Sequence, residues 1–289
     1  MSELLTSSDE ARLLGGLADE VHLWLLRLRQ SIPPRLERRW RALLSPEEAE
    51  ADRRFRVEPA RRQHLAARAL VRTTLSRYAD IDPRRWEFRA GPQGKPEIAG
   101  PAGAPPLQFN LSHTRGLVAC VVTLGLDAGV DVERPARRIR DPLALARHGF
   151  APAEREALER LTGGARHELF CDLWTLKEAF VKARGAGFLA LPARKLAYEI
   201  APGGVIDLTL EPELEDRAEA WQVALLEPTA DHRLAVAIRR GDRSDLTLVT
   251  HEVEPPAAVR RVRPEILARS PAPEVVADAA LAPQPRGAR

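Results

Sequence analysis

Lysine is scarce in this chain. Only four lysines occur among the 44 basic residues, so the other forty are arginine. Three of the four fall inside short motifs that also contain glycines or carboxylates; they are Lys95, Lys177 and Lys182. A lysine ammonium is a rotatable point charge that can follow a phosphate. It can also donate its proton, whereas an arginine remains protonated. These three positions therefore indicate phosphate binding or proton transfer.

Cysteine and long apolar segments are also scarce. The two cysteines, Cys120 and Cys171, both lie in apolar segments, which is typical of a reducing cytoplasm and provides no disulfide framework. No segment approaches twenty uninterrupted apolar residues, and the first residues lack a basic region leading into an apolar one. We therefore expect a cytoplasmic protein that does not span a membrane.

The charges of the chain are nearly balanced. It has 44 Lys and Arg residues against 41 Asp and Glu, a net charge of +3 at pH 7. No clustered stripe of basic and aromatic residues accompanies this small excess, so the sequence argues against a nucleic-acid-binding protein. The 289 residues are enough to bury one large core or two modest ones.

The stretch from Phe170 to Phe188 predicts one helix that is closed by a glycine turn. On a helical period, Trp174, Glu178 and Lys182 form a stripe with one turn between successive members. A carboxylate and an ammonium therefore lie one turn apart. Taken alone, this pair is also compatible with an ordinary ion pair on a solvated surface.

The GVDVE segment, residues 129–133, predicts a strand that carries two carboxylates. Alternate side chains of a strand share a face, so Asp131 and Glu133 point one way while Val130 and Val132 point the other. Two carboxylates on one side of a buried strand repel each other unless a cation lies between them, and oxygen ligands of this kind suit Mg²⁺. The alternative is an edge strand with a wet acidic face.

Two further segments contain small polar groups at turns. In FNLSHT, residues 109–114, the side chains of Asn110, Ser112 and His113 lie at a predicted strand end, where backbone amides are free to meet a ligand. In GPQGKPEI, residues 91–98, glycines leave the backbone open beside Lys95, which could then approach a phosphate closely. A structural turn and an ordinary hairpin are the respective alternatives.

In order and spacing, these motifs resemble the 4′-phosphopantetheinyl transferase superfamily in its larger, monomeric form. The family pattern is F-N-x-S-H, then G-x-D-x-E, then W-x-x-K-E-A-x-x-K, with a G-K-P turn upstream. This chain has FNLSH, GVDVE and WTLKEAFVK in that order, preceded by GKP. The resemblance covers about residues 20–250.

The resemblance implies Mg²⁺-dependent transfer of 4′-phosphopantetheine from coenzyme A to a serine of an acyl or peptidyl carrier protein, with release of adenosine 3′,5′-bisphosphate. It implies that Asp131, Glu133 and Glu178 bind the metal. The implied catalytic residues are Glu178, as the acceptor of the serine proton, with Lys182 and Asp131. The residues that it implies for binding coenzyme A are Lys95, Pro96, Asn110, Ser112, His113, Lys177, Lys182, Arg54 and Arg61.

The resemblance also implies an α+β fold of two similar, pseudo-two-fold-related halves. Each half would pack helices on a mainly antiparallel sheet, with the active site between the halves. We expect a flexible segment at 1–19, halves at 20–125 and 126–254, and a disordered tail at 255–289. Period-two runs after the central helix, among them DLTLVTHEV, predict antiparallel strands of the second half.

A monomer is expected, because one polypeptide supplies both halves of the site. The alternative function is a catalytically idle relative that binds coenzyme A or carrier domains as an adaptor.

Overall fold

In a computed structural model of the chain, the described residues are 7–29, 31–91, 94–137, 139–185, 192–254 and 258–271. Their helices are α1 (Ser7–Gly16), α2 (Pro34–Arg41), α3 (Pro46–Arg54), α4 (Glu58–Leu75), α5 (Pro142–Gly149), α6 (Pro152–Arg160) and α7 (Gly163–Ala183). Their strands are β1 (Glu20–Arg27), β2 (Glu87–Ala90), β3 (Pro96–Gly100), β4 (Leu107–Thr114), β5 (Leu117–Leu124), β6 (Ala128–Glu133), β7 (Leu196–Ala201), β8 (Val205–Leu210), β9 (Trp221–Thr229), β10 (His232–Arg239), β11 (Thr247–Glu254), β12 (Ala258–Val262) and β13 (Glu265–Arg269).

The strands form two large sheets and one hairpin. The first sheet has the order β12-β11-β1-β5-β4, and the second has the order β6-β10-β9-β13-β8-β7. Strands β2 and β3 pair only with each other among the described residues. Most of the pairings in both sheets are antiparallel; the exceptions are β1 with β11 and β13 with β8.

The first half packs α4 across the first sheet. Leu65, Leu70 and Leu75 of α4 are buried with Trp24 of β1 in one apolar core. The preceding helix, α3, begins at a capping box, in which the Ser45 hydroxyl accepts a hydrogen bond from the backbone of the third helical residue. Helix α4 thus forms the main helical layer of the first half.

The second half packs α7 across the second sheet. Phe180 of α7 contacts the Trp221 ring at a centroid distance of 4.2 Å, and Phe170 stacks on Phe150 at 5.1 Å. The helix begins at Gly163, earlier than the predicted stretch, and Gly185 closes it in a left-handed conformation with φ 66°. The end of that predicted stretch, residues 186–188, lies outside the described residues.

A third apolar core joins the halves. Leu23 and Val121 of the first sheet meet Val130 and Val236 of the second sheet there, and all four are fully buried. Each half thus has a long helix on its outer side, and the edge strands β4 and β6 face each other at the junction. The predicted α+β class with two pseudo-two-fold-related halves is confirmed.

The predicted membership of DLTLVTHEV in the second half is wrong. Strand β11 pairs in parallel with β1 from Glu20↔Thr247 to Leu26↔Val253 and so belongs to the first sheet. The reason lies in β1, which is buried on both faces and needs a hydrogen-bonding partner on each edge. A period-two pattern predicts a strand but does not identify its partner.

The predictions of a flexible segment at 1–19 and a disordered tail at 255–289 are wrong for the parts that the structure describes. Helix α1 covers Ser7–Gly16, and Leu17 behind it is 2% exposed in the first core. Strands β12 and β13 fall within the predicted tail. Residues 1–6, 255–257 and 272–289 lie outside the described residues. Within the described ranges, no helix is long and apolar enough to cross a membrane.

A half-buried histidine in the first sheet predicts acid sensitivity. His251 stacks on Trp24 at 4.4 Å, and its Nε2 atom is buried without a hydrogen-bond partner. Burial lowers its pKa to about 4, helped by the charges of His22, Arg261 and Arg77 and opposed by Glu20. The unfolded chain therefore binds a proton below its ordinary pKa near 6.5, and the native state does so only below about 4.

We expect the free energy of unfolding to fall as the pH drops from about 6.5 toward 4. His251→Phe keeps the ring stacking, removes the titrating group, and is expected to flatten this decline in urea titrations across that pH range. An unchanged slope in the variant would show that His251 is not the group responsible.

Candidate active site

Two polar side chains of β4 connect the two sheets. The Asn110 side-chain oxygen accepts a hydrogen bond from the backbone N–H of Val130 at 3.0 Å, and the Ser112 hydroxyl accepts one from Val132 at 3.2 Å. Both side chains are buried. Their hydrogen bonds join the edge strands β4 and β6, which belong to different sheets. The predicted ligand-binding residues Asn110 and Ser112 therefore fix the junction on which the candidate site lies.

Gly129 allows α7 to rest directly on β6. A Cβ atom at this position would overlap the backbone carbonyl of Ala179 and the backbone nitrogen of Ala183. Because both clashes are with backbone, no side-chain rotation could relieve them. The first glycine of GVDVE thus sets the distance between strand and helix. The sequence contained this signal, since Gly129 lies on the same face of the strand as Asp131.

The close approach of α7 and β6 creates a polar cluster. Lys182 Nζ lies 2.6 Å from Asp131 Oδ1 and donates to the Ser112 hydroxyl at 3.1 Å. The same hydroxyl donates to Asp131 Oδ1 at 2.9 Å. The structure therefore brings together three residues that the sequence placed in one site. Asp131 Oδ2 is buried and has no hydrogen-bond partner.

Glu133 and Glu178 lie close enough to Asp131 for their charges to interact. Burial raises the pKa of Glu178 to about 7, with a further increase from Asp131 and Glu133 and a partial offset from Lys182. Burial and the charge of Asp131 also raise the pKa of Glu133. Three carboxylates that repel one another, one with an unpaired buried oxygen, are the donor set that a hard cation would relieve. In the part of the chain that is described, however, no three acidic, histidine or cysteine side chains are already grouped as metal ligands.

Histidine and arginine side chains border this cluster on the side of the first half. The exposed His113 ring has a lowered pKa, because of partial desolvation and then the charges of Lys182, His64 and Arg68. His64 and Arg68 belong to α4, and His64 Nε2 is buried without a hydrogen-bond partner. Sequence reasoning missed both α4 residues, because in a chain rich in arginine they look like ordinary solvated helix positions. Of these three groups Arg68 carries a permanent positive charge, so an anion would be stabilised beside it.

Lys95 lies in the predicted glycine turn, beside the last turn of α7. Gly94 has φ 86°, and Pro96 begins β3, which pairs with β2, so the segment forms the hairpin that was the alternative to a phosphate-binding turn. Lys95 Nζ donates to the carbonyl of Ala183 at 3.1 Å and so caps the last turn of α7. Burial lowers its pKa. An open cavity of about 420 Å³ adjoins it, lined also by Arg89, Asp127, Arg184 and Gly185.

Lys177 does not belong to the candidate site, and its predicted contact with coenzyme A is wrong for this structure. Its side chain is 0% exposed and lies 2.8 Å from the Glu154 carboxylate. It also donates to the carbonyls of Ala193 and Leu196 at 2.8 and 2.5 Å. Successive helical residues differ by about 100° in direction, so the neighbour of Glu178 points into the core of the second half.

The two predicted arginine contacts are engaged elsewhere. Arg54 is largely exposed and pairs with Glu50 in its own helix. Arg61 forms ion pairs with Glu37, Asp52 and Glu58, which tie α2, α3 and α4 together. Among the described contacts, neither arginine reaches the Asp131–Lys182 cluster.

Comparison with known proteins identifies the family. The model of the 4′-phosphopantetheinyl transferase superfamily matches residues 127–237, and the model of the 4′-phosphopantetheinyl transferase N-terminal domain matches residues 35–124. The 4′-phosphopantetheinyl transferase HetI of Nostoc sp. is 33% identical over 222 residues, which cover 77% of this chain and 89% of HetI. This chain belongs to the 4′-phosphopantetheinyl transferase superfamily.

Other members of the superfamily match to a smaller extent. The 4′-phosphopantetheinyl transferase Sfp of Bacillus subtilis is 28% identical, with 74% of this chain and 91% of Sfp covered. Among solved structures, the ACPS–CoA complex of Chronobacterium ammoniagenes is 21% identical, with a TM-score of 0.33, and covers 41% of this chain and 98% of that one. The protein is thus a phosphopantetheinyl transferase of the larger type that Sfp and HetI represent.

Proposed function

We propose that this transferase moves 4′-phosphopantetheine from coenzyme A to a serine of an apo acyl or peptidyl carrier protein and releases adenosine 3′,5′-bisphosphate. The observation that supports this proposal is the Lys182–Asp131–Ser112 cluster at the junction of the halves, with Glu178 beside it. It lies in a chain of the transferase superfamily. This is a holo-[acyl-carrier-protein] synthase activity.

The reaction forms one bond and breaks one bond at phosphorus. The serine oxygen of the carrier bonds to the β-phosphorus of coenzyme A, and the bond from that phosphorus to the bridging oxygen breaks. The serine proton must be removed, and the bridging oxygen carries new negative charge. An active site for this step therefore needs a proton acceptor near the serine and cations near the diphosphate.

The chain's own residues can supply both. Glu178 is the proposed proton acceptor: burial and the neighbouring carboxylates raise its pKa to about 7, which makes it a stronger base than an ordinary carboxylate, and a cation held by the same carboxylates would lower that pKa again. Lys182 lies one turn along α7 and carries the positive charge that the departing phosphate needs. At the first half, His113 and Lys95 would hold the nucleotide, with Ser112 and Asn110 fixing the strand from which His113 projects.

A magnesium ion fits this donor set. We propose that Asp131, Glu133 and Glu178 hold it, since Asp131 has a buried oxygen without a partner and the three carboxylates repel one another. When bound, the ion would polarise the diphosphate as a Lewis acid. We further propose that the protein works as a cytoplasmic monomer. Sedimentation at several protein concentrations tests the oligomeric state.

The deciding experiment measures the intact mass of an apo carrier protein after incubation with this protein, coenzyme A and Mg²⁺. We expect a gain equal to one phosphopantetheine group. The Glu178→Gln variant, which keeps the shape but removes the basic oxygen, is expected to lower the rate by about 10²-fold or more.

Carriers from fatty-acid, polyketide and nonribosomal-peptide systems should be compared in parallel. No gain with any of them, together with retained binding of coenzyme A, would favour the adaptor function instead. An unimpaired Glu178→Gln variant would remove Glu178 from the mechanism.

A further inference from the structure

The C-terminal segment 258–271 completes both sheets of the protein. It lies beyond residue 237, where the superfamily match ends. Its first strand, β12, pairs with β11 from Thr250↔Val262 to Glu254↔Ala258 at the edge of the first sheet. After a short turn, β13 enters the second sheet between β9 and β8. One short segment therefore links the two halves that form the candidate site.

Strand β13 is paired with β9 along most of its length and with β8 at one residue pair, Arg269↔Val205. It pairs with β9 through Ala268↔Leu225, and the backbone N–H of Ser270 donates to the carbonyl of Val223 at 3.0 Å. The Ser270 hydroxyl accepts a hydrogen bond from the N–H of Val223 at 3.1 Å. Ala268 is 2% exposed and belongs to the apolar core that also contains Phe180 of α7.

The β7–β8 hairpin depends on β13 for its place in the sheet. Within the described ranges, β8 pairs only with β7 and β13, so β13 connects the hairpin to β9 and the other strands. The backbone N–H of Arg269 donates to the carbonyl of Gly204 in the hairpin turn at 2.9 Å. A Cβ atom on Gly204 would lie 2.6 Å from the Leu267 carbonyl, so the turn and β13 are in close backbone contact.

The hairpin in turn holds the catalytic helix. The Leu196 carbonyl of β7 accepts a hydrogen bond from Lys177, and the Tyr198 N–H donates to Glu154, which is the ion-pair partner of Lys177. Lys177 immediately precedes Glu178 in α7. A series of hydrogen bonds thus runs from β13 through β8 and β7 to the helical turn that carries the proposed base, and it is buried where it reaches Lys177 and Glu154.

We propose that β13 is a positioning element of the active site: by closing the second sheet beneath α7, it holds Glu178 and Lys182 against Asp131. The C-terminal segment 258–271 is then required for the correct position of the active-site side chains. The effect on kinetics rests on the proposed function, whereas the effect on the helix does not.

The test compares two substitutions in β13 of the full-length chain. Ala268→Asp places a charge in the core beside α7, whereas Ile266→Asp changes a residue that is 51% exposed in the same strand. Hydrogen exchange followed by mass spectrometry reports on each segment, and the carrier-protein assay gives kcat and KM. We expect Ala268→Asp to speed exchange in α7 and in the β7–β8 hairpin while β4 and β5 keep their protection. A kcat lower by about 10²-fold should accompany it, and Ile266→Asp should match the wild type in both measurements.

A milder variant covers the case in which Ala268→Asp fails to fold. Ser270→Ala removes only the two side-chain hydrogen bonds to the backbone of Val223 and should give the same pattern of exchange on a smaller scale, with Ser270→Thr restoring protection. If loosening is confined to residues 265–271 and kcat equals that of the wild type, the proposal is overturned. Faster exchange in α7, in a protein whose wild type modifies no carrier, would support the positioning role and overturn the proposed function instead.

Discussion

Replacing Gly129 with alanine is expected to displace α7, the helix that contains Glu178 and Lys182, from β6. The new methyl group would overlap the backbone of Ala179 and Ala183, so α7 must move away from β6 or the strand must bend. We expect the free energy of unfolding to fall by about 3 kcal/mol or more, at the upper end of overpacking effects. The distance from Lys182 Nζ to Asp131 Oδ1, 2.6 Å in the wild type, would increase at the same time.

Activity should fall more steeply than stability alone would suggest. A displacement of about 1 Å between reacting groups can reduce a rate by about 10²-fold, so Gly129→Ala should show little transfer even at temperatures where it is fully folded. Urea unfolding followed by tryptophan fluorescence gives the stability, and the intact mass of a carrier protein gives the activity.

Gly164→Ala in the same helix is the matched control. Nothing lies within 4 Å of a Cβ atom at Gly164, and alanine favours the helix more than glycine does, so this variant should be as stable as the wild type or slightly more stable. If the two variants behave alike, the close contact between β6 and α7 is not what assembles the site.

The local parts of the site could be predicted from the sequence. Alternation along residues 129–133 correctly placed the carboxylates on one face and the valines on the other, because a strand has a period of two whatever it pairs with. The spacing of Glu178 and Lys182 in α7 was predicted for the same reason, since the helical period fixes it. These properties depend on the chain within one element.

The contacts between elements could not be predicted in this way. Most of the second part of α7 is buried, so its sequence shows no clear solvated face. The sequence alone therefore did not distinguish Lys177, which points into the core, from Glu178, which points into the candidate site. The parallel pairing of β11 with β1 depends on which edge of β1 is free, and that is decided by the rest of the first sheet. Strand β13 is five residues long within a segment rich in proline, alanine and arginine, whose composition concealed it.

Removing the ammonium of Lys177 should destabilise the second half strongly. In Lys177→Met, the Glu154 carboxylate would remain buried without its counter-ion, and the carbonyls of Ala193 and Leu196 would lose a donor. Breaking a buried pair in this way costs about 3–5 kcal/mol. Arg160→Met is the matched control in the exposed pair with Glu156, and it should change the stability by less than about 1 kcal/mol.

The loss of stability in Lys177→Met should depend on pH. Burial raises the pKa of Glu154 even with Lys177 opposing the increase, and without Lys177 that pKa rises further. Above its ordinary pKa near 4.5 the unfolded chain releases the proton that the native state retains, so the variant should lose stability as the pH rises from about 5 to 8. The double variant with Glu154→Gln carries no titrating group there and should show little of this extra dependence in urea titrations at the two pH values.

The same double variant distinguishes a structural role of Lys177 from a role of Lys177 in binding coenzyme A. If Lys177 acts only within the core, restoring stability with Glu154→Gln should also restore the affinity for coenzyme A, measured by calorimetry. A double variant that is stable but binds coenzyme A weakly would mean that Lys177 leaves the core and contacts the phosphates. Because its ammonium has three acceptors, the Glu154 carboxylate and two carbonyls, and is 0% exposed, we expect the structural outcome.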